Sequence, residues 1–258
     1  RRSLMDAIIT AGGIPKPDDP LYQYTQGKNK ALLDLGGKPM IQWVLDAVSN
    51  SALVDHIVIV GLDQDPDLKS TKTLHFLPNQ GGIVDNIKAG TYKVAEINPD
   101  AELLLVASSD IPTVTTEMVD WTIQQAEELR VDIMYTVVEQ QTMENRFPNA
   151  NRSFIKLKAS AVCGGDMHAI SVTAVTHNEE MWNKLEASRK NAFKQMAILG
   201  FDTLFLVGLR LIDINTAARR IAKRLGLAGV GEISPYAEIA MDVDKPHQLE
   251  LLRKDLTN

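Results

Sequence analysis

Hydrophobic positions along the 258-residue chain fall into short unbroken runs separated by amphipathic stretches. Met5 to Thr10 is apolar, β-branched and stopped by glycine, which predicts a short buried strand. Further strands are predicted at His56 to Val60, Thr73 to Leu77, Glu102 to Ala107 and Asp132 to Val138. Pro39 to Val48 predicts a helix, with proline in its first turn and Ile41, Val44, Leu45 and Val48 on one face. Gly82 to Ala95 predicts another, and Thr115 or Thr116 is placed to cap a third. Nearly all-apolar strands alternating with helices imply an α/β fold: a mostly parallel sheet covered on both faces. Ligands of such sheets sit outside the carboxyl ends of the strands. The polar stretch from Gly12 to Asn29, with three prolines and two aspartates, predicts a long loop on that rim.

Beyond about residue 139 the pattern changes. Gln140 to Asn151 is polar and irregular. Arg152 to Lys158 alternates like a half-exposed strand, with Met167 to Val172 as its candidate partner. Helices are expected over 175–189, 192–209 and 213–225, a last strand over 237–243 and a closing helix over 246–256. Residues 5–258 are expected to form one domain, with residues 140–230 shaping a second substrate's pocket.

A net charge of -6 and a pI near 5.4 argue against non-specific binding to nucleic acid or an anionic membrane. They leave room for a local basic pocket. The lone Cys163 cannot form an internal disulfide, no run of 18 apolar residues exists, and no secretory signal opens the chain. The cytoplasm is therefore the expected compartment. The five histidines lack metal-ligand spacing and no G-x-S-x-G elbow is present, so zinc and serine-hydrolase chemistry are not expected.

Four features carry candidate chemistry. The turn Ala11-Gly12-Gly13 lets backbone N–H groups approach an anion, although alone it reads as a tight turn. Gly36-Gly37-Lys38-Pro39 is not a phosphate loop, because proline follows the lysine. Lys16 and Lys28 read as solvated, whereas Lys30 sits at the loop's return, before Ala31-Leu32-Leu33. Asp110 ends a strongly apolar strand, where a carboxylate needs a partner such as a hard cation, or else caps the next helix. Asp242 and Asp244 alternate across Val243, so one of them is expected to share a metal with Asp110. Magnesium needs only one or two protein carboxylates when phosphates and waters supply the rest.

The order of these signals resembles the MobA-like NTP transferase family, within the nucleotidyltransferases of GT-A type fold. The resemblance runs from Ala7-Ile8-Ile9-Thr10-Ala11-Gly12-Gly13, through Lys30 and Gly37-Lys38-Pro39-Met40, to Ser108-Ser109-Asp110-Ile111-Pro112 and Asp242-Val243-Asp244-Lys245-Pro246. It implies a three-layer, Rossmann-like sheet and transfer of a nucleoside monophosphate from GTP or CTP to a small-molecule acceptor. It implies nucleotide contacts at Ala11, Gly12, Gly13, Asn79, Gln80, Gly81, Gly82, Asn86 and Ser109. Catalysis falls to Lys30 and Asp110, and Mg2+ to Asp110 and Asp244. Arg152, Lys156, Gly164, Gly165 and Asp166 fall on the acceptor side. A homodimer stays open, and a glycosyltransferase or a non-catalytic nucleotide-binding module are the rival readings. The chain departs from the family pattern in having no arginine in the loop after the glycines. It also has Asn29-Lys30 for P-K, Asp166 for asparagine, and His247-Gln248 for E-D.

Overall fold

The computed structural model describes residues 4–65, 67–188 and 191–257. β1 (Met5–Thr10) is followed by α1 (Tyr22–Thr25), a hairpin of β2 (Asp34–Leu35) and β3 (Lys38–Pro39), and α2 (Met40–Ser49). β4 (Val54–Val60), β5 (Leu74–Leu77), α3 (Ile83–Ile97), β6 (Leu103–Ser108), α4 (Thr116–Leu129) and β7 (Ile133–Glu139) complete an alternating half. The rest comprises α5 (Gln140–Arg146), β8 (Ile155–Lys156), β9 (Ala161–Gly164), β10 (Met167–Ser171), α6 (Val172–Thr176) and α7 (Glu179–Ser188). Then come α8 (Ala192–Leu199), α9 (Phe201–Gly208), α10 (Ile214–Arg224), β11 (Gly229–Ser234) and α11 (Pro246–Thr257).

The central sheet runs β5-β4-β1-β6-β10-β7-β9-β8, with β11 on β7. β5, β4, β1 and β6 are mutually parallel, and β11 is parallel to β7, while β10 runs against β6 and β7. The sheet is mixed and mostly parallel, and the fold is α/β as expected. Alternation along each strand builds the two faces. Ile9, Ile57, Ile59 and Leu105 bury against Ile41, Val44 and Val48 of α2 and Val119 and Ile123 of α4. Ile8, Val58, Leu104 and Val106 bury on the other side with Val94 of α3, Val175 of α6 and Ala222 of α10. A third cluster around Phe147 joins α5, the 3-10 turn Ala237–Ala240 and α11.

Several expectations are corrected. Gln140–Arg146 is a helix rather than irregular chain. The strand at 152–158 shrinks to Ile155–Lys156 and pairs with β9, while β10 inserts between β6 and β7. The span 237–243 is no strand: Ala237–Ala240 is a 3-10 turn with all four residues buried. The parallel strand that closes the sheet is β11 instead. The helix expected over 192–209 breaks at Gly200, and that over 175–189 divides into α6 and α7, with residue 189 outside the described residues. Thr115 occupies the N-cap of α4 without a side-chain hydrogen bond, and the Thr116 hydroxyl donates to the Ala47 carbonyl instead.

Candidate active site

Parallel pairing sets the carboxyl ends of β1, β4 and β6 side by side: Thr10 is in register with both Val60 and Ser108. Gly12, Gly61 and Asp110 therefore leave the sheet at one rim. The approach is tight. Gly61 adopts φ +112, and a Cβ there would lie 2.4 Å from the Gly12 nitrogen, so the position demands glycine. The Ala11 N–H donates to the Val60 carbonyl at 2.7 Å and extends the ladder. That bond corrects the expectation that Ala11 offers its amide to a ligand. Among the described residues, the Gly12 and Gly13 amides have no acceptor, and both residues line a cavity of about 270 Å3.

Asn29, which stands where the family pattern has proline and was given no role from the sequence, holds this turn. Its Nδ2 donates to the carbonyls of Ala11 (2.6 Å) and Gly61 (3.0 Å), while its Oδ1 accepts from Ala31 N–H. The Lys30 N–H donates to the Gly13 carbonyl at 2.8 Å. The long loop thus returns to the point it left, and Lys30 enters the site from a fixed backbone.

The Lys30 ammonium lies 2.6 Å from Asp110 Oδ2 and 3.0 Å from Asp244 Oδ1. Burial by itself would lower its pKa; the Asp110 and Asp244 carboxylates outweigh that and hold it above the ordinary lysine range. Asp110 is positioned by the Ser108 hydroxyl, which donates to Oδ1, and by its own carbonyl, which accepts from Val243 N–H at 3.0 Å. Gln248 accepts from the N–H groups of both Asp244 and Lys245, so a neutral residue caps the start of α11.

Asp242 turns the other way. It is buried and ion-paired with Arg152, which also lies 4.0 Å from Asp166. Asp166 sits where one strand edge divides: β9 and β10 both pair with β7, and Gly164-Gly165-Asp166 bridges them. Burial raises the Asp166 carboxyl, the Asp110 carboxylate raises it further, and Arg152 only partly offsets them, leaving it at about 7. Its Oδ2 is buried without a hydrogen-bond partner.

A second polar cavity of about 290 Å3 is lined by Tyr135, Arg152, Gly164, Gly165, Asp166 and Asp244, among others. Tyr135 was missed by sequence reasoning because it stands in an ordinary strand. Its ring stacks on His168, which burial holds neutral with a pKa near 4. Lys30 and Asp110 line the first cavity and Asp244 the second, so the triad marks their junction.

The other expected residues divide. Gly81, Gly82 and Ser109 line the first cavity. Asn79 and Asn86 line it too, but their amides are engaged in the loop: Asn79 donates to the Gly12 carbonyl and accepts from Gly81 N–H, and Asn86 accepts from Gln80 N–H. Gln80 and Lys156 line neither cavity, and Lys156 is exposed on β8. Gly36-Gly37 form the β2–β3 turn, and the Lys38 ammonium pairs with Asp46 over the Trp43 ring.

The donor set suits a magnesium ion, because two hard carboxylates converge on one cationic point. Among the described residues one group of three potential metal ligands comes together, Asp6, Asp55 and His56, and it lies at the opposite strand ends. There Asp6 accepts from His56 N–H and Asn98 Nδ2, a clamp between β4 and α3.

Known proteins extend this picture. A hypothetical transferase from Thermus thermophilus superposes with a TM-score of 0.82 at 26% identity, over 95% of this chain and 99% of that one. A 4-diphosphocytidyl-2C-methyl-D-erythritol synthase from Anaerococcus prevotii shares the fold (TM-score 0.61, 13% identity, 99% and 97% of the two chains). The 3-deoxy-manno-octulosonate cytidylyltransferase of Photobacterium profundum is 35% identical over 80 residues, 30% of this chain and 29% of that protein. Its counterpart in Geotalea uraniireducens is 24% identical over 102 residues, 38% of this chain and 39% of that protein. The chain thus matches well under half the length of either cytidylyltransferase. The MobA-like NTP transferase domain matches residues 7–202, and the chain belongs to that family.

Proposed function

We propose that the protein transfers a nucleoside monophosphate from an NTP to a phosphate or hydroxyl oxygen of a small acceptor. The acceptor oxygen attacks the α-phosphorus, the bond to the bridging oxygen breaks, and pyrophosphate leaves. The observation that carries this reading is the Lys30 ammonium held between Asp110 and Asp244 where two polar cavities meet. A cation fixed there is aimed at charge that develops on the transferred phosphoryl group, and such preorganised contacts dominate this kind of catalysis.

In this reading Gly12 and Gly13 receive the phosphates, and Asn79, Gly81 and Gly82 face the base. Tyr135, Arg152, Gly164, Gly165 and Asp166 shape the acceptor pocket. Asp110 and Asp244 would hold magnesium, which supplies charge neutralisation to the phosphates when bound. The likeness to cytidylyltransferases favours CTP as the donor. The commitment of Asp242 to Arg152 speaks against an Asp242-x-Asp244 metal motif of the glycosyltransferase kind. Residues 5–258 are taken as one catalytic unit, of which residues 66, 189, 190 and 258 lie outside the described residues.

The test is a thermal-shift screen of the four NTPs with magnesium, followed by pyrophosphate release across alcohols, sugars and their phosphates. CTP is expected to give the largest stabilisation, since a ligand of the native state raises its stability by mass action. Binding without pyrophosphate release from any acceptor would overturn the transferase reading.

A further inference from the structure

α9 is apolar around most of its circumference, a pattern that ordinarily marks a buried helix. Val207 meets that expectation, packing with Val137, Leu157, Val162 and Ile214. The opposite face does not. Phe201, Phe205 and Leu209 recur every four residues, so they stack on one side of the helix. They are 55%, 65% and 52% exposed. A contiguous apolar patch of this kind marks a contact surface.

Cations border the stripe at both ends. Arg224 packs against Gly200 and pairs with Asp202, and Arg210 follows Leu209. The neighbouring helix α10 turns Ala217 and Ala222 inward and leaves Arg219, Arg220, Lys223 and Arg224 exposed. Residues 201–224 hold five Lys and Arg against two Asp, a local excess of positive charge in a chain of net charge -6. A twofold dimer through this face would set each copy's cations against their own images. Aromatic and leucine side chains beside an arginine-rich helix face instead match the headgroup region of an anionic bilayer, where the rings insert and the cations meet lipid phosphates.

We propose that α9 and α10 form a docking surface for an anionic lipid bilayer. The acidic remainder of the chain disfavours such a surface, so attachment is confined to this patch.

The test is co-sedimentation of the protein with vesicles of phosphatidylcholine alone and of an equimolar phosphatidylcholine–phosphatidylglycerol mixture. Binding is expected only to the mixture, and high salt should release it. The double variant Arg219→Gln/Lys223→Gln should weaken partitioning about 25-fold, at roughly fivefold per charge removed. Phe205→Ser should weaken it about tenfold. All three side chains are exposed and line neither cavity, so thermal unfolding should be unchanged. Equal partitioning to both vesicles, or none to either, overturns the proposal. So does a concentration-dependent dimer that Phe205→Ser dissolves, since a second copy would then be the occupant.

Discussion

Asp166 offers a prediction in which stability reports the electrostatics of the acceptor-side cavity. Its carboxyl rises from the ordinary 3.8 to about 7, because it is largely desolvated, lies near Asp110 and is incompletely compensated by Arg152. A carboxyl whose folded pKa is raised contributes stability that is complete below its unfolded value. That contribution is lost as the pH climbs through the folded value. For Asp166 the window runs from 3.8 to about 7. At about 1.36 kcal/mol for each tenfold change, the whole span would amount to about 4 kcal/mol. The side chain is still 30% exposed, so solvent screening reduces this to about 1–2 kcal/mol. Asp166→Asn keeps the shape and removes the titration. In metal-free buffer, its melting temperature relative to wild type should rise between about pH 4 and pH 8. For a chain of this size the gain should be about 2–8 °C. Melting curves of the two proteins that stay parallel over that range would refute the reasoning, and Asp166 would then be an ordinary ionised carboxylate.

Four further outcomes are expected. Lys30→Met should lower pyrophosphate release by about 100-fold or more while leaving the circular dichroism spectrum unchanged. Arg152→Met strands the buried Asp242 carboxylate and should destabilise the fold by about 3–5 kcal/mol in urea unfolding, whereas Arg152→Met/Asp242→Leu should recover much of that loss. Gly61→Ala forces a Cβ onto the Gly12 nitrogen and should cost at least about 2 kcal/mol, read as a lower melting temperature with loss of NTP-induced stabilisation. Asn29→Ala removes three hydrogen bonds that clamp the loop and should weaken nucleotide binding, measured calorimetrically, by about tenfold or more.

Residues that bury on both faces of the sheet were legible because nothing competes with their pattern. β1 has the predicted bounds, and β4 and β6 differ from theirs by one or two residues. The triad was legible as three residues in order, but its contact was not, since Lys30 and Asp244 are joined only by the fold. The misses have physical causes. β11 contains Gly229 and Gly231, which read as turn residues but here admit Ala222 and Ile214 of α10 against the sheet. Ala237, Ala240, Met241 and Val243 are apolar because they pack in the cluster around Phe147, and burial alone does not distinguish a strand from a 3-10 turn. Asn29 stood out only as a departure from the family's P-K pair; its role was not legible, because it lies in two carbonyls that only the folded rim brings together.

The Asn29 clamp has a consequence for how the protein can change. Because Gly13 and Lys30 are tied to each other and Asn29 holds the rim, residues 14–28 form a closed excursion, pinned to the core between its ends by the buried Leu21. Doubling such a loop costs only about 0.6 kcal/mol in closure entropy. Either side of Leu21 the exposed residues are therefore a replaceable cassette: their length and charge can be exchanged while Asn29 and Lys30 keep their place.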